Sequence, residues 1–154
     1  MAKKKTWREK LYDVKNLPKV EEIPSHLQKK WGEGTMVIPA PVDVNEIMKI
    51  VPEGKVITIA EIRKMLAGKY HATIGCPLTT GIFVNIAAHA AEEDKEEGKE
   101  KFTPYWRTLR SGGELNEKFP GGIQRHKELL ENEGHQVVMK GRKYKVKNYE
   151  LSLL

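Results

Sequence analysis

Cys76 is the single thiol in a chain of 154 residues, and a thiol becomes a nucleophile once its pKa falls toward neutrality. It stands directly before Pro77, a residue suited to the first turn of a helix, where exposed amide N–H groups favour an anion and lower a thiol pKa. Two readings follow: a reactive thiol at that helix start, or a small apolar filler, the usual fate of a lone cysteine. His71, Cys76 and His89 fit no standard ligand spacing, so no metal site is expected, and nothing in the chain calls for a cofactor. A lone cysteine makes no internal disulfide, which suits a reducing compartment. His26, His126 and His135 are scattered and are expected at the surface.

A second group of residues suits binding rather than bond-making. Tyr105, Trp106 and Phe119 could line a pocket that stacks a base, or fill a cavity with apolar mass. Arg107, Arg110, Lys140, Arg142, Lys143, Lys145 and Lys147 could neutralise phosphates on one basic surface. Alternating lysines also protect a strand edge from aggregation, which explains the last of them nearly as well. Thr79, Thr80 and Asn85 offer phosphate or base-edge contacts, or simply a polar helix face. The formal net charge is +6 with 31% charged residues, a balance that favours a polyanionic partner over acidic small molecules.

These groups are positioned by elements that the pattern marks out. Residues 1–35 mix Lys, Glu, Pro and aromatics without sustained periodicity and read as an arm that packs through Trp7, Leu11, Leu17, Ile23, Leu27 and Trp31. Residues 36–150 form the domain. Asp43 and Glu46 suggest a capping box, with Val44, Ile47, Met48 and Val51 on one face of a helix that ends at Pro52. Thr58 and Glu61 suggest a second box ahead of Ile59, Ile62, Met65 and Leu66, with Gly68 closing that helix. A third helix runs from Pro77 through Leu78, Ile82, Phe83, Ile86 and Ala90 to the Glu/Lys-rich stretch before Gly98. A loop spans Ser111–Pro120, and a further helix stops at Gly134. Val137–Met139 and the alternation of Tyr144 and Val146 with lysines predict a hairpin around Lys140-Gly141-Arg142. No apolar run approaches the ~20 residues of a membrane helix. Met1–Lys5 is basic without a following apolar stretch, so no secretory signal is read and a cytoplasmic protein is expected.

Residues 42–134 resemble the C-terminal, DNA-binding domain of the O6-alkylguanine-DNA alkyltransferases. The resemblance rests on the order of Val51-Pro52-Glu53-Gly54-Lys55-Val56-Ile57-Thr58, Pro104-Tyr105-Trp106-Arg107-Thr108, Gly121-Gly122-Ile123 and Leu129-Leu130-Glu131-Asn132-Glu133-Gly134. It implies a helix-turn-helix DNA-binding domain. The family transfers an alkyl group to a cysteine thiolate activated by a histidine and, through it, a carboxylate. Here Tyr105 takes the cysteine position, Trp106 the histidine position and Glu133 the carboxylate position. A phenol with an ordinary pKa near ~10 is no thiolate, and an indole relays no proton. Glu133 then serves either that site or merely a helix-terminal surface. A noncatalytic branch, the alkyltransferase-like proteins, also lacks the cysteine but keeps the histidine. The wedge arginine of the family corresponds to Ala72, ahead of Thr73, and its phosphate-rotating tyrosine to Ile59, so the usual base-flipping groups are missing.

The expected fold is mainly α with a small β hairpin: a winged-helix-like three-helical bundle with an N-terminal arm. The expected function is noncatalytic binding of duplex DNA, alkylated or distorted duplexes included, with Thr58, Thr73, Thr79, Thr80 and Asn85 on the helical face. Rivals are an alkyltransferase or other enzyme using Cys76, and a protein-interaction module whose ligand is a protein partner.

Overall fold

The computed structural model describes residues 5–154; Met1, Ala2, Lys3 and Lys4 of the basic N-terminus lie outside the described residues. The chain begins with α1 (Trp7–Tyr12), whose N-cap Thr6 accepts from the Glu9 amide while Glu9 bonds back to the Thr6 amide. β1 (Lys19–Glu22) follows, then the short α2 (Gln28–Trp31) and β2 (Thr35–Ile38). β1 pairs antiparallel with β2, Lys19 facing Ile38. The residues of the expected arm therefore pack on the rest of the chain, Trp7 and Leu11 on its main core and Ile23, Leu27 and Trp31 around Met36 and Cys76.

Three helices form the centre. α3 (Pro41–Lys49) begins at Ala40, whose amide donates to the Asp43 carboxylate at 3.0 Å. Asp43 thus sits inside the first turn rather than capping it, because Pro41, which has no N–H to lose, starts the helix three residues earlier than the Asp43/Glu46 pattern implies. β3 (Ile57–Thr58) leads into α4 (Ile59–Tyr70), capped by the Thr58 hydroxyl, which accepts from the Glu61 amide at 3.3 Å. Gly68 does not close α4; the helix runs two residues on, and His71 supplies the left-handed cap at φ 55°. β4 (Ile74–Gly75) joins β2 in parallel. A Cβ at Gly75 would lie 2.7 Å from the Arg63 carbonyl, so the strand can approach α4 this closely only as glycine.

α5 (Pro77–Glu96) is the long helix against which α1, α3 and α4 pack. Its buried face is Thr80, Val84, Ala87, Ala88 and Ala91, with Ala90 beside them, while Leu78 and Ile82 are 65% and 47% exposed. The small alanines let α1 and α3 approach closely, and this moves the buried stripe off the Leu78–Ile82 line expected from side-chain size. After α5 the chain turns at Tyr105–Arg107, forms β5 (Thr108–Leu109) in parallel with β3, and enters α6 (Gly122–Asn132). The chain ends with a hairpin, β6 (Val137–Lys140) and β7 (Lys143–Val146), with Lys140 facing Lys143 across the turn. Val146 is buried in a second core with Val56, Leu109, Leu115 and Leu130. The fold is mainly helical with a small hairpin, and the hairpin docks on α6 and on the loop after β5, where the Leu115 amide donates to the Tyr144 carbonyl at 3.1 Å.

Candidate functional site

The turn at 104–107 is built as a closed network. Trp106 donates its indole N–H to Glu133 Oε2 at 2.9 Å. Arg107 grips the same carboxylate through Nε at 2.9 Å and Nη2 at 2.7 Å, and its Nη1 donates to the Val51 carbonyl at 2.8 Å. The side chains of Arg107 and Glu133 are only 15% and 8% exposed. Burial pushes the Glu133 carboxyl up, but the hydrogen bonds from Arg107 and Trp106 outweigh it and hold the group below its ordinary range. Glu133 is therefore not a surface charge. Arg107 in turn is not a free surface cation, because its guanidinium is committed to Glu133 and the Val51 carbonyl.

His126 completes this network from α6. Its Nδ1 accepts from the Asn116 amide at 3.1 Å, so Nε2 carries the proton and donates to the Trp106 carbonyl at 2.8 Å. The ring is buried, which lowers its pKa to about 4 and keeps it neutral. The expected surface histidine is a core residue that joins the turn to the loop following β5.

Tyr105 lies between these groups and α5. Its hydroxyl donates to Glu92 Oε2 at 3.1 Å, and its ring meets Trp106 and Phe119 edge-on, each with centroids 5.4 Å apart. Tyr105 and Phe119 are buried and Trp106 is partly buried, so of the two readings the trio favours filling the cavity over lining an open one. Burial, with Glu92 adding to it, pushes the phenol well above its ordinary value, and Tyr105 is no nucleophile at neutral pH. Cys76 sits at the N-cap of α5, as expected, but is 4% exposed and packed among Ile23 and Met36. His71 is exposed and His89 stacks on Trp7 at 4.4 Å, and among the described residues no three His, Cys, Asp or Glu side chains converge as a metal site.

An open cleft of about 490 Å³ lies beside this network, between the start of α4, the first turns of α5 and the loop after β5. Ile59, Arg63, Leu78, Ile82, Asn85 and Arg110 line it. Arg63 uses Nε on the Gly75 carbonyl at 2.9 Å, which fixes the root of its guanidinium on the cleft wall. Asn85 accepts from Asn116 Nδ2 at 2.9 Å, tying α5 to the loop. Arg110 is exposed and also lines a second groove of about 350 Å³ with Glu114, Arg142, Lys143 and Tyr144, so the cleft continues toward the hairpin tip.

The remaining expected contacts divide. Thr58 is a buried cap, and Thr80 is buried with its hydroxyl donating to the Cys76 carbonyl at 2.6 Å, so neither reaches a ligand. Thr79 Oγ1 is buried without a partner among the described residues, and the Thr73 hydroxyl accepts from the Thr35 amide at 3.0 Å. Lys143 pairs with Glu114 at 3.5 Å and Lys145 lies over the Tyr149 ring at 5.6 Å, while Lys140, Arg142 and Lys147 are exposed. The sequence reading missed Arg63 and Lys118, which line the cleft. Arg63 had a visible signal, since it follows Ile62 by one position and so falls off the buried face of α4 toward α5.

No family model matches the chain, and no curated protein matches it by sequence. Two solved structures are similar. One is S. pombe Atl1 in complex with damaged DNA containing O6-carboxymethylguanine, 22% identical, covering 74% of this chain and 93% of the other at a TM-score of 0.52. The other is S. pombe ATL in complex with DNA, 20% identical over the same shares at a TM-score of 0.54. The chain has the alkyltransferase-like fold. The positions to which the sequence resemblance assigns a nucleophile and a carboxylate hold buried Tyr105 and Glu133, the latter bound to a tryptophan and an arginine.

Proposed function

We propose that this protein is a noncatalytic duplex-DNA binder that holds DNA along the α4–α5 cleft and the basic track running from Arg63 and Arg110 to the hairpin tip. The observation that carries the reading is the continuity of that track: Arg110 lines both the cleft and the groove that leads to Arg142 and Lys143. Arg63, Arg110, Lys118, Arg142 and Lys143 outnumber Glu114 and Glu117 along the two grooves, the kind of net-basic surface a phosphate backbone requires. The similar S. pombe structures are complexes with DNA, one of them damaged, and they share the fold at low identity. The hairpin acts as a wing whose exposed Lys140, Arg142 and Lys147 lie against the backbone. With Tyr105, Trp106 and Phe119 filling the former pocket, recognition is of duplex shape or distortion rather than of a base swallowed whole, and no alkyl group is transferred. A reducing cytoplasm is the setting that fits the lone cysteine.

The exposed Leu78 and Ile82 favour one second reading, a protein partner seated on the cleft, since apolar side chains at 65% and 47% exposure are unusual on a face meant for phosphates. Fluorescence-anisotropy titration of a labelled duplex, with and without O6-methylguanine and at two salt concentrations, separates the two. Binding that weakens steeply with salt, with no mass gain on the protein by mass spectrometry, is expected. Salt-insensitive or absent binding overturns the DNA reading, and a mass gain on Cys76 overturns the noncatalytic one.

A further inference from the structure

On the flank of α5 that faces α1 and α3 lies a cavity of about 340 Å³, within the range of small-molecule sites. Its apolar wall is made by Leu11, Ala87, Ala90, Ala91 and Phe102. The alanines leave room that larger side chains on a packed helix would take. Asn45 of α3 also lines the cavity and is only 3% exposed. Its Oδ1 accepts from the Thr103 hydroxyl at 2.7 Å, whereas its Nδ2 makes no hydrogen bond among the described residues. A donor on a cavity wall with no protein partner is suited to an acceptor brought by a ligand.

The charges at the mouth say which acceptor. Asp94 is paired, 3.1 Å from Lys99 and 3.6 Å from an Arg8 that it shares with Glu93 and Glu97, and Lys49 lies 3.4 Å from Glu46. Lys101 is exposed and has no carboxylate within ion-pair distance among the described residues. The mouth therefore presents one uncommitted cation near an amide donor above an apolar floor. We propose that this cavity binds small amphipathic carboxylates, with the apolar body on the α5 alanines and the carboxylate between Asn45 Nδ2 and Lys101. The site is on a different part of α5 from the DNA cleft and does not depend on the DNA reading.

Titration of the ¹⁵N-labelled full chain with 4-phenylbutyrate, 4-phenylbutanol and 4-phenylbutylamine, followed by NMR, tests the proposal. Saturable shifts at the Asn45 side-chain amide, Ala90, Ala91 and Phe102 are expected with the carboxylate, with binding about tenfold tighter than for the alcohol. Lys101→Glu should weaken the carboxylate roughly three- to tenfold at an unchanged unfolding midpoint, because the side chain is exposed. Ala91→Leu fills the floor and should abolish binding. The proposal is overturned by no saturable shift at millimolar probe, by equal affinity for all three probes, by shifts centred on the α4–α5 cleft, or by a Lys101→Glu variant that binds as the parent does.

Discussion

The indole N–H of Trp106 meets the Glu133 carboxylate at 2.9 Å, so a side chain that cannot carry a proton occupies the place where the alkyltransferase resemblance sets an imidazole. Arg107 binds both oxygens of the same carboxylate. The arrangement clamps the 105–107 turn to the end of α6.

Glu133→Gln should therefore destabilise the fold by about 3 kcal/mol, the cost of leaving one partner of a buried ion pair uncompensated, read as a lower urea midpoint. The same pair makes stability depend on acid. Because the folded carboxyl lies below its ordinary value of 4.5, its contribution is present above that pH and is lost as pH falls through the folded value. Glu133→Gln should remove that part of the acid sensitivity.

His126 acts at milder pH. Its folded pKa of about 4 lies below the ordinary 6.5, so the unfolded chain binds the extra proton between those values and stability falls as pH drops from 6.5 toward 4. The loss is on the order of 3 kcal/mol over that window. In His126→Gln the slope of unfolding free energy against pH between 4 and 6.5 should flatten, even though the variant starts less stable. An unchanged slope would mean that the ring titrates normally.

The N-terminal helix is held from outside itself. Glu93 of α5 accepts from the Trp7 and Arg8 amides at 3.1 and 3.0 Å, while Arg8 also pairs with Glu97 and Trp7 stacks on His89. Glu93→Ala should free those amides at a cost of about 1–3 kcal/mol. Hydrogen exchange should speed up in residues 7–12 well before α3 or α4, because a six-residue helix has little stability of its own.

Much of this architecture is written locally in the sequence. Thr58 caps α4, Pro77 opens α5, and the alternation around Gly141 gives the hairpin, because caps, first-turn prolines and period-two patterns act over a few residues. What was not legible depends on partners far along the chain. Trp7 and Leu11 sit in a six-residue helix too short to show a period, and the face of α5 is decided by alanines whose burial follows from how closely α1 and α3 approach. His126 and Arg107 look like surface residues by type. They are buried because Asn116, Trp106, Val51 and Glu133 meet them, contacts that span from 10 to 56 residues of sequence.

Placing a cysteine at position 105, where the resemblance sets a nucleophile, should not create an alkyltransferase. Tyr105→Cys removes an aromatic ring from a packed core and should cost about 3–5 kcal/mol. The new thiol would sit one bond beyond Cβ in a buried site, where desolvation opposes thiolate formation, and Glu133 would remain held by Arg107. No alkyl transfer from an O6-methylguanine duplex is expected by mass spectrometry, in this variant or in Tyr105→Cys with Trp106→His.

The basic residues should also be unequal in DNA binding. Arg110 is exposed and lines both grooves, whereas Lys143 is paired with Glu114 and Lys145 rests on Tyr149. A cation already engaged must give up its partner to meet a phosphate, so its net contribution is smaller. Arg110→Ala should weaken duplex affinity uniformly across sequences and reduce the slope of log affinity against log salt by about one, the signature of one lost phosphate contact. Lys143→Ala should change both quantities less. Equal effects from the two would place the duplex against the hairpin rather than along the α4–α5 cleft.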